Sequence, residues 1–222
     1  LESAGHHGEE HGASTLQTRP PAGRTEAGDQ GAGMMGPIMA SMMIFFVFFI
    51  GANAAESIVR EENEGTLPRL FTTPTAQASI LGGKYAAIVC TLLIQVLVLL
   101  GASSLLFGIR WGAPLPVALL TIGLIASAAG FGVLLMSFIR TTRQAGPVMG
   151  GVLTITGMLG GLFTAGIPNA PRAFQAISLA TPHGWALRGW KAALAGARVG
   201  EVLVPAAVTF GSGMLFFAVG LV

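Results

Sequence analysis

Several apolar runs, each about 20 residues long, constrain the fold of this chain more than any other feature. A helix of that length crosses the hydrocarbon core of a bilayer, because it satisfies its backbone hydrogen bonds internally. Only 10% of the 222 residues are charged and 52% are hydrophobic, whereas about a quarter of the residues in soluble domains are charged. The sequence therefore predicts an all-α polytopic membrane protein.

The apolar runs predict about five transmembrane helices, and the stretch before the first of them has a different character. Residues 1–33 are rich in Gly, Glu and His and contain no apolar periodicity. We interpret them as a flexible, solvated tail. Residues 34–222 form the predicted transmembrane domain. Its predicted spans are residues 34–55, 84–107, 117–139, 147–165 and 201–222.

The tail contains one pattern that resembles a metal site. His7-Gly-Glu-Glu-His11 matches the H-x-x-E-H spacing of one class of metalloproteases. That chemistry requires both histidines on one face of a rigid helix, and the neighbouring glycines disfavour such a helix. We therefore expect no metal site in this chain.

Several classes of function are disfavoured by what the sequence lacks. No acidic residue lies within any predicted span between Leu67 and Gly200, which argues against a proton-driven carrier or an aspartyl intramembrane protease. The sequence has no G-x-x-x-x-G-K-[ST] phosphate loop, so we do not expect the chain itself to hydrolyse ATP. The net charge of +2 is too small to indicate binding of nucleic acid.

Two glycine pairs in the fourth predicted span have the G-x-x-x-G spacing that allows helix backbones to approach closely. They are Gly146 with Gly150 and Gly157 with Gly161. We expect this span to pack closely against another helix, either in the same chain or in a second subunit.

Gln95 lies near the middle of the second predicted span. Because a carboxamide is costly to place in hydrocarbon, we expect it to face other helices and to hydrogen-bond between them. A contact with a transported substrate is the less favoured alternative.

Residues 166–200 differ from the spans because prolines at positions 168, 171 and 182 divide them. Residues 184–198 show the periodicity of an amphipathic helix. The segment is therefore predicted to be a broken hairpin whose helix lies at the membrane interface or re-enters it shallowly. We interpret His183 as a capping or interfacial residue. The basic sector of the helix contains Arg188, Lys191 and Arg198, and the apolar sector contains Ala186, Trp190, Ala193, Leu194 and Ala197.

Residues 56–83, here called the connector, join the first two predicted spans and hold the only dense cluster of charge in this apolar chain. Gly65, Pro68 and Pro74 interrupt regular helix within it. These features indicate a short amphipathic element held at the membrane surface. An ordinary solvated loop is the alternative interpretation.

The connector resembles the first cytoplasmic loop of the type-2 ABC (ATP-binding cassette) transporter permease family. The resemblance extends over residues 34–222 through the order of the spans, a basic turn at residues 140–143 and the broken hairpin. The chain differs from the family pattern at Glu62, Asn63 and Pro68, and the first of the family's six spans is absent. The matching segments are Val59-Arg-Glu61, Gly65-Thr-Leu67, Arg69-Leu70, Thr73-Pro74 and Gly83-Lys84.

The resemblance implies a permease subunit of an ABC exporter, in which a coupling helix in the connector docks onto a separate ATPase. It also implies a second permease copy, identical or different, and a place in the cell membrane with the tail and hairpin outside. ATP and magnesium would be bound by the ATPase, and this chain would carry no cofactor. The implied substrate is amphiphilic, such as a drug, a lipid or a glycolipid. The implied docking residues are Glu61, Gly65, Thr66, Leu67, Arg69, Leu70, Thr73 and Pro74.

Two other functions compete with this interpretation. A membrane scaffold or regulatory subunit would bind a cytoplasmic partner through the same connector without transporting anything. An integral-membrane enzyme of lipid metabolism is disfavoured, because the spans hold no constellation of acidic or nucleophilic residues. Similar numbers of Lys and Arg fall on the two predicted faces, so composition leaves the orientation undecided.

Overall fold

The computed structural model describes residues 25–66, 69, 72, 76–167 and 171–220, without the side chains of residues 25–33, 77, 78 and 172. Within these residues all regular secondary structure is helical, and the prediction of an all-α polytopic membrane protein is confirmed. The helices are α1 (Thr25–Asn63), α2 (Gln77–Phe107), α3 (Pro114–Ser137), α4 (Thr142–Leu159), a 3-10 turn (Leu162–Thr164), α5 (Arg172–Ser178), α6 (Pro182–Leu194) and α7 (Val199–Gly220).

Helix α3 is the centre of the bundle and packs against α1, α2, α6 and α7. Its most extensive contact is with α7. A Cβ placed on Gly130 would lie 2.1 Å from the Gly213 carbonyl oxygen, and one on Gly213 would lie 2.4 Å from the Ala126 carbonyl oxygen. Helices approach this closely only where both present a bare backbone. Ser127 and Ser212 hydrogen-bond across the same interface at 3.2 Å.

Helix α1 contacts α3 in the same way. A Cβ on Gly132 would lie 2.6 Å from the Gly51 carbonyl oxygen, and one on Gly51 would lie 2.9 Å from the carbonyl oxygen of Ala128. Next to this contact the rings of Phe48 and Phe131 pack edge to face, with centroids 5.7 Å apart. The three helices α1, α3 and α7 therefore form one closely packed unit with α3 in the middle.

Helix α6 enters the bundle instead of lying on its surface. Near its carboxyl end, a Cβ on Gly112 would lie 2.4 Å from the Ala193 carbonyl oxygen. Near its amino end, the ring of His183 lies 6.0 Å from that of Phe131. Helix α6 thus runs antiparallel to α3 from the α2–α3 turn into the middle of the bundle, and Trp190 between these contacts is fully buried. The hairpin is re-entrant and deep.

The predicted role of His183 is wrong for this reason. Its side chain is fully buried and stacks on Phe48, with ring centroids 4.0 Å apart. The helix is capped instead by Thr181, whose hydroxyl accepts a hydrogen bond from the Gly184 amide at 3.3 Å. Burying an ionised group in such surroundings is costly, which favours the neutral imidazole as a packing ring.

The sectors predicted for α6 are correct only in part. Ala186, Trp190 and Ala193 are buried as the apolar pattern indicates. Arg198, however, does not belong to the helix, because α6 ends at Leu194 and Gly196 adopts a left-handed φ of 82°.

The predicted span at residues 147–165 is also wrong in its boundaries. Helix α4 has 18 residues, or about 27 Å at 1.5 Å per residue, and it ends at Leu159. Gly161 then turns the chain with a φ of 76° into the 3-10 turn. A Cβ on Gly160 would lie 2.6 Å from the Cβ of His183, so the re-entrant hairpin occupies the space that a longer α4 would need. The candidate spans among the described residues are four: Met34–Asn63, Ser79–Phe107, Pro114–Ser137 and Val199–Gly220.

Two other boundaries differ from those expected. Helix α1 begins at Thr25, inside the segment predicted as a tail, and continues to Asn63. Helix α2 begins at Gln77, so the helical part of both spans extends into the connector. The metal-like pattern at His7 and His11 lies outside the described residues.

The glycine pairs predicted to pack closely do not do so against any residue that the structure describes. A Cβ on Gly146 or Gly150 would meet nothing within 4 Å, and one on Gly157 or Gly161 would make only ordinary contacts at 3.4 Å. Helix α4 packs mainly on α1 through an adjacent face, which includes Met149, Leu153 and Gly157 itself. Close packing of the glycine face against a second copy stays a prediction.

The α3–α7 contact predicts opposite effects for two glycines of the same helix. We expect Gly213→Ala to lower the free energy of unfolding by about 1–3 kcal/mol, because its methyl group would overlap the α3 backbone. Gly211→Ala is the matched control, because a Cβ there meets nothing within 4 Å, and we expect a gain of about 0.5–1 kcal/mol in helix stability. Thermal unfolding of the two variants in detergent, followed by circular dichroism, checks both signs. Equal stability of the two variants would contradict the contact.

Candidate functional site

The connector lies at the end of the bundle opposite the re-entrant hairpin. It joins the carboxyl end of α1 to the amino end of α2. Between Val59 and Ile88 none of the described residues is buried. The exposed side chains there carry charge of both signs, at Arg60, Glu62 and Arg69 among others. This end of α1 and α2 is therefore a charged surface that the other described residues leave uncovered.

An ion pair ties together the two helices that enter the connector. The Nζ of Lys84 in α2 donates to the Oε2 of Glu61 in α1. The two side chains are 17% and 32% exposed, so both are partly shielded from solvent. Because such shielding reduces screening, the pair holds the two helix ends together more firmly than a fully exposed pair would.

The end of α1 is closed by local hydrogen bonds. Gly65 adopts a left-handed φ of 71°, which its missing Cβ permits at no steric cost. Its amide donates to the Glu62 carbonyl oxygen at 3.1 Å. The hydroxyl of Thr66 donates to the Glu61 carbonyl oxygen at 3.0 Å. Further on, the Thr72 hydroxyl donates to the carbonyl oxygen of Arg69 at 2.7 Å.

The structure describes the positions of half of the predicted docking residues. Glu61 faces Lys84, Gly65 forms the turn after α1, and Thr66 and Arg69 are exposed. Lys84 was not expected as the partner of Glu61, although opposite charges at the two ends of a connector are a signal that could have indicated it. The remaining predicted docking residues lie outside the described part of the chain, together with Pro68: Leu67, Leu70, Thr73 and Pro74.

The turn between α3 and α4 lies at the same end of the bundle. Arg140 and Arg143 are exposed in it, and the ring of Phe138 is 74% exposed. The end of α7 also reaches this level, because a Cβ on Gly220 would lie 2.9 Å from the amide nitrogen of Leu134. At this end of the bundle, the connector and the α3–α4 turn thus lie side by side with the ends of the long helices.

Three side chains in the described bundle have buried polar atoms without hydrogen-bond partners. These atoms are the amide oxygen of Gln95, both ring nitrogens of His183 and the indole nitrogen of Trp190. The hydrogen bond expected between Gln95 and another helix is therefore not formed within the described chain. Trp190 instead packs edge to face on Trp111, with ring centroids 5.5 Å apart.

A cavity of about 350 Å³ lies in the half of the bundle near the hairpin. Helix α1 forms one wall, and the 3-10 turn and the residues after it form the other. The rings of Phe45 and Phe163 meet at its edge with centroids 5.7 Å apart. The lining is apolar apart from Ser41, whose hydroxyl donates to the Ile38 carbonyl oxygen at 2.8 Å. Such a lining suits the apolar part of a ligand.

The part of the chain that the structure describes contains no group of three His, Cys, Asp or Glu side chains that could hold a metal ion. Its candidate features are therefore a charged surface at one end and an apolar cavity towards the other. This arrangement suits a protein that binds a partner at one face of a membrane and a hydrophobic molecule within it.

Comparison with known proteins agrees with this arrangement. Residues 12–222 match the family described as ABC-2 family transporter protein. The chain is similar to the linearmycin resistance permease protein LnrN of Bacillus subtilis (strain 168), with 30% identity over 184 residues. That alignment covers 82% of this chain and 47% of the relative, so the chain spans about half the length of the relative. No solved structure matches the chain. On the extent of the family match and the helical membrane fold, the chain belongs to the ABC-2 family of transporter proteins.

Proposed function

We propose that this chain is the permease subunit of an ABC exporter in the cell membrane, which moves an amphiphilic substrate using ATP hydrolysed by a separate subunit. The observation that carries the proposal is the connector. It is charged, exposed and attached directly to the ends of two long spans. A partner that moves the connector therefore moves both spans.

The proposed partner at the connector is an ABC ATPase, which binds ATP and magnesium. Its docking surface on this chain comprises the connector residues from Glu61 to Pro74, with Leu67 and Leu70 as the apolar contacts. Exposed Arg69 and the charges around Glu62 set the orientation of the partner, because rim charges act mainly on association and register.

Helix α1 is suited to carry motion from this surface into the membrane. It continues as one helix from the membrane to Asn63 in the connector. Inside the membrane it contacts α3 backbone to backbone through Gly51 and Gly132. A contact without intervening flexible side chains transmits displacement efficiently, since packed interfaces do not deform continuously. Movement of α1 then shifts α3 and, through α3, α7.

The cavity beside α1 supports an amphiphilic substrate. Its rings and aliphatic side chains match an apolar chain or ring system, and its open side leaves a polar portion in contact with water or headgroups. The name of the Bacillus subtilis relative attributes resistance to linearmycin to that protein. We propose for this chain a similar role in removing a harmful amphiphile, which makes export the direction of transport.

A second permease copy, identical or different, completes the proposed path. The glycine face of α4 provides a surface for it, because a Cβ on Gly146 or Gly150 would meet nothing within 4 Å in the described part of the chain. Elsewhere on the exposed side of the same helix, Ile155 and Met158 are 60% and 56% exposed. Bare backbone flanked by apolar side chains is the pattern with which membrane helices associate.

The docking surface is tested by co-purification with the candidate ATPase. We expect Leu67→Asp with Leu70→Asp to abolish the complex, because two carboxylates in an apolar contact would have to be desolvated without partners. The matched control, Leu67→Met with Leu70→Met, keeps an apolar surface and should retain the complex. An aspartate variant that is still inserted and binds the ATPase as well as the control does would overturn the proposal. Stimulation of ATP hydrolysis by an amphiphile separates a transporter from a scaffold, which would bind the ATPase without it.

The ion pair predicts a different pattern. Glu61→Lys or Lys84→Glu alone places like charges at the ends of α1 and α2, and we expect amphiphile-stimulated ATP hydrolysis to fall about fivefold. The double variant restores an opposite pair and should recover most of the activity. Hydrolysis rates of the four proteins in proteoliposomes, completed as a double-mutant cycle, give the coupling. If the losses of ATP hydrolysis in the two single variants simply add in the double variant, the ion pair does not couple α1 to α2.

A further inference from the structure

Two cations on the re-entrant helix have no counter-ion among the side chains that the structure describes. Arg188 is exposed and Lys191 is partly buried, one turn apart on the same side of α6. Neither makes an ion pair with a described side chain, and the acidic side chain described at this end of the bundle is that of Glu201. We call the surface formed by Arg188 and Lys191 the basic face.

The basic face lies inside the level of the helix ends. Between the two cations, a Cβ on Gly189 would lie 2.4 Å from Leu120 and 3.0 Å from Pro205. Leu120 is six residues into α3 and Pro205 is six residues into α7, which is about 9 Å along each helix. From a backbone at that depth, the long side chains of Arg and Lys extend towards the level of lipid headgroups.

Neither cation is accounted for by a contact within the helix that would cap its end or neutralise its charge. The last carbonyl groups of α6 already accept backbone hydrogen bonds, from the Ala195 amide to Lys191 at 3.1 Å and from the Gly196 amide to Ala193 at 2.9 Å. The ammonium group is therefore not needed to cap the helix. The guanidinium of Arg188 lies 5.5 Å from the ring centroid of Trp185, which orients it without neutralising its charge.

The neighbouring surface is apolar. Val204, next to Pro205 in α7, is 58% exposed, and Leu215, which is on the same side of α7 three turns further in, is 60% exposed. A molecule held at the basic face by an anionic group could therefore extend apolar chains along α7 in the direction of the membrane centre. This combination of an oriented guanidinium, an ammonium and an adjacent apolar strip fits one class of ligand, a phospholipid.

We propose that the basic face binds the phosphate of an anionic phospholipid, with Arg188 as the bidentate donor and Lys191 as the second cation. The bound lipid fills the side of α6 that no other part of the described chain covers. The site holds a membrane lipid whether or not the chain moves a substrate, so it does not depend on the proposed function.

Lipid retention tests this site without ATPase or transport. The purified protein is mixed in detergent with equal amounts of phosphatidylglycerol and phosphatidylcholine, and the lipid that stays bound is counted by native mass spectrometry. We expect the wild type to prefer phosphatidylglycerol about tenfold, because two cations act on its phosphate and net charge. Arg188→Gln with Lys191→Gln should abolish the preference.

The control removes the same charge at the other end of the molecule. Arg140→Gln with Arg143→Gln takes two exposed guanidinium groups from the α3–α4 turn and should leave the preference unchanged. Elution of all variants as a single species in size exclusion establishes that they are folded, and Lys191→Arg, which keeps the charge, should behave as the wild type.

Three results would overturn the proposal. The first is a wild type that retains both lipids equally. The second is a loss of preference in the Arg140 and Arg143 control as large as in the Arg188 and Lys191 variant. The third is displacement of phosphatidylglycerol by millimolar inorganic phosphate, which would assign the basic face to a soluble anion instead of a lipid.

Discussion

The rest of the structure depends on the approach of α3 to α1 and α7 with backbone against backbone. In lipid, apolar side chains gain little by leaving one hydrocarbon environment for another, so helices associate through close packing and polar contacts. Gly51, Gly132 and Gly213 remove the side chains that would keep the axes apart. Once the three helices are joined, α6 has a wall against which to bury His183 and Trp190. The burial of the hairpin therefore depends on the close packing of α1, α3 and α7.

Each sequence pattern predicts one kind of structural feature, and this limits how much of the fold could be predicted. Hydropathy shows which apolar runs are long enough to cross a membrane. It therefore located α1, α2, α3 and α7, although the helices begin and end at residues other than the predicted ones. It did not show that α4 stops at Leu159, because the chain turns at Gly161 and the space beyond is occupied by His183, which is distant in the chain. The G-x-x-x-G spacing identifies a bare face without identifying a partner for it. Gly146 and Gly150 thus matched the pattern, whereas the closely packed Gly130 and Gly213 belong to no such pair.

The candidate site shows the same division. Charge density, together with a turn-forming glycine, was enough to locate the connector. The pairing of Glu61 with Lys84 joins residues 23 positions apart, and it requires α1 and α2 to stand side by side. Periodicity within one segment contains no information about that. The amphipathic pattern of α6 likewise distinguished its buried from its exposed side. The depth of the helix, however, depends on glycines elsewhere in the chain that allow close contact with it, such as Gly112.

The place of α6 between earlier and later helices has a consequence for biogenesis. Gly189 touches Leu120, which is made before it, and Pro205, which is made after it. During synthesis the hairpin cannot complete its burial until α7 has entered the bilayer. Until then the indole of Trp190 and the ring of His183 lack part of the bundle that encloses them in the finished chain. Insertion of α7 is thus the step that completes the burial of α6, and a chain arrested before α7 would present its re-entrant segment to the cell's membrane quality control.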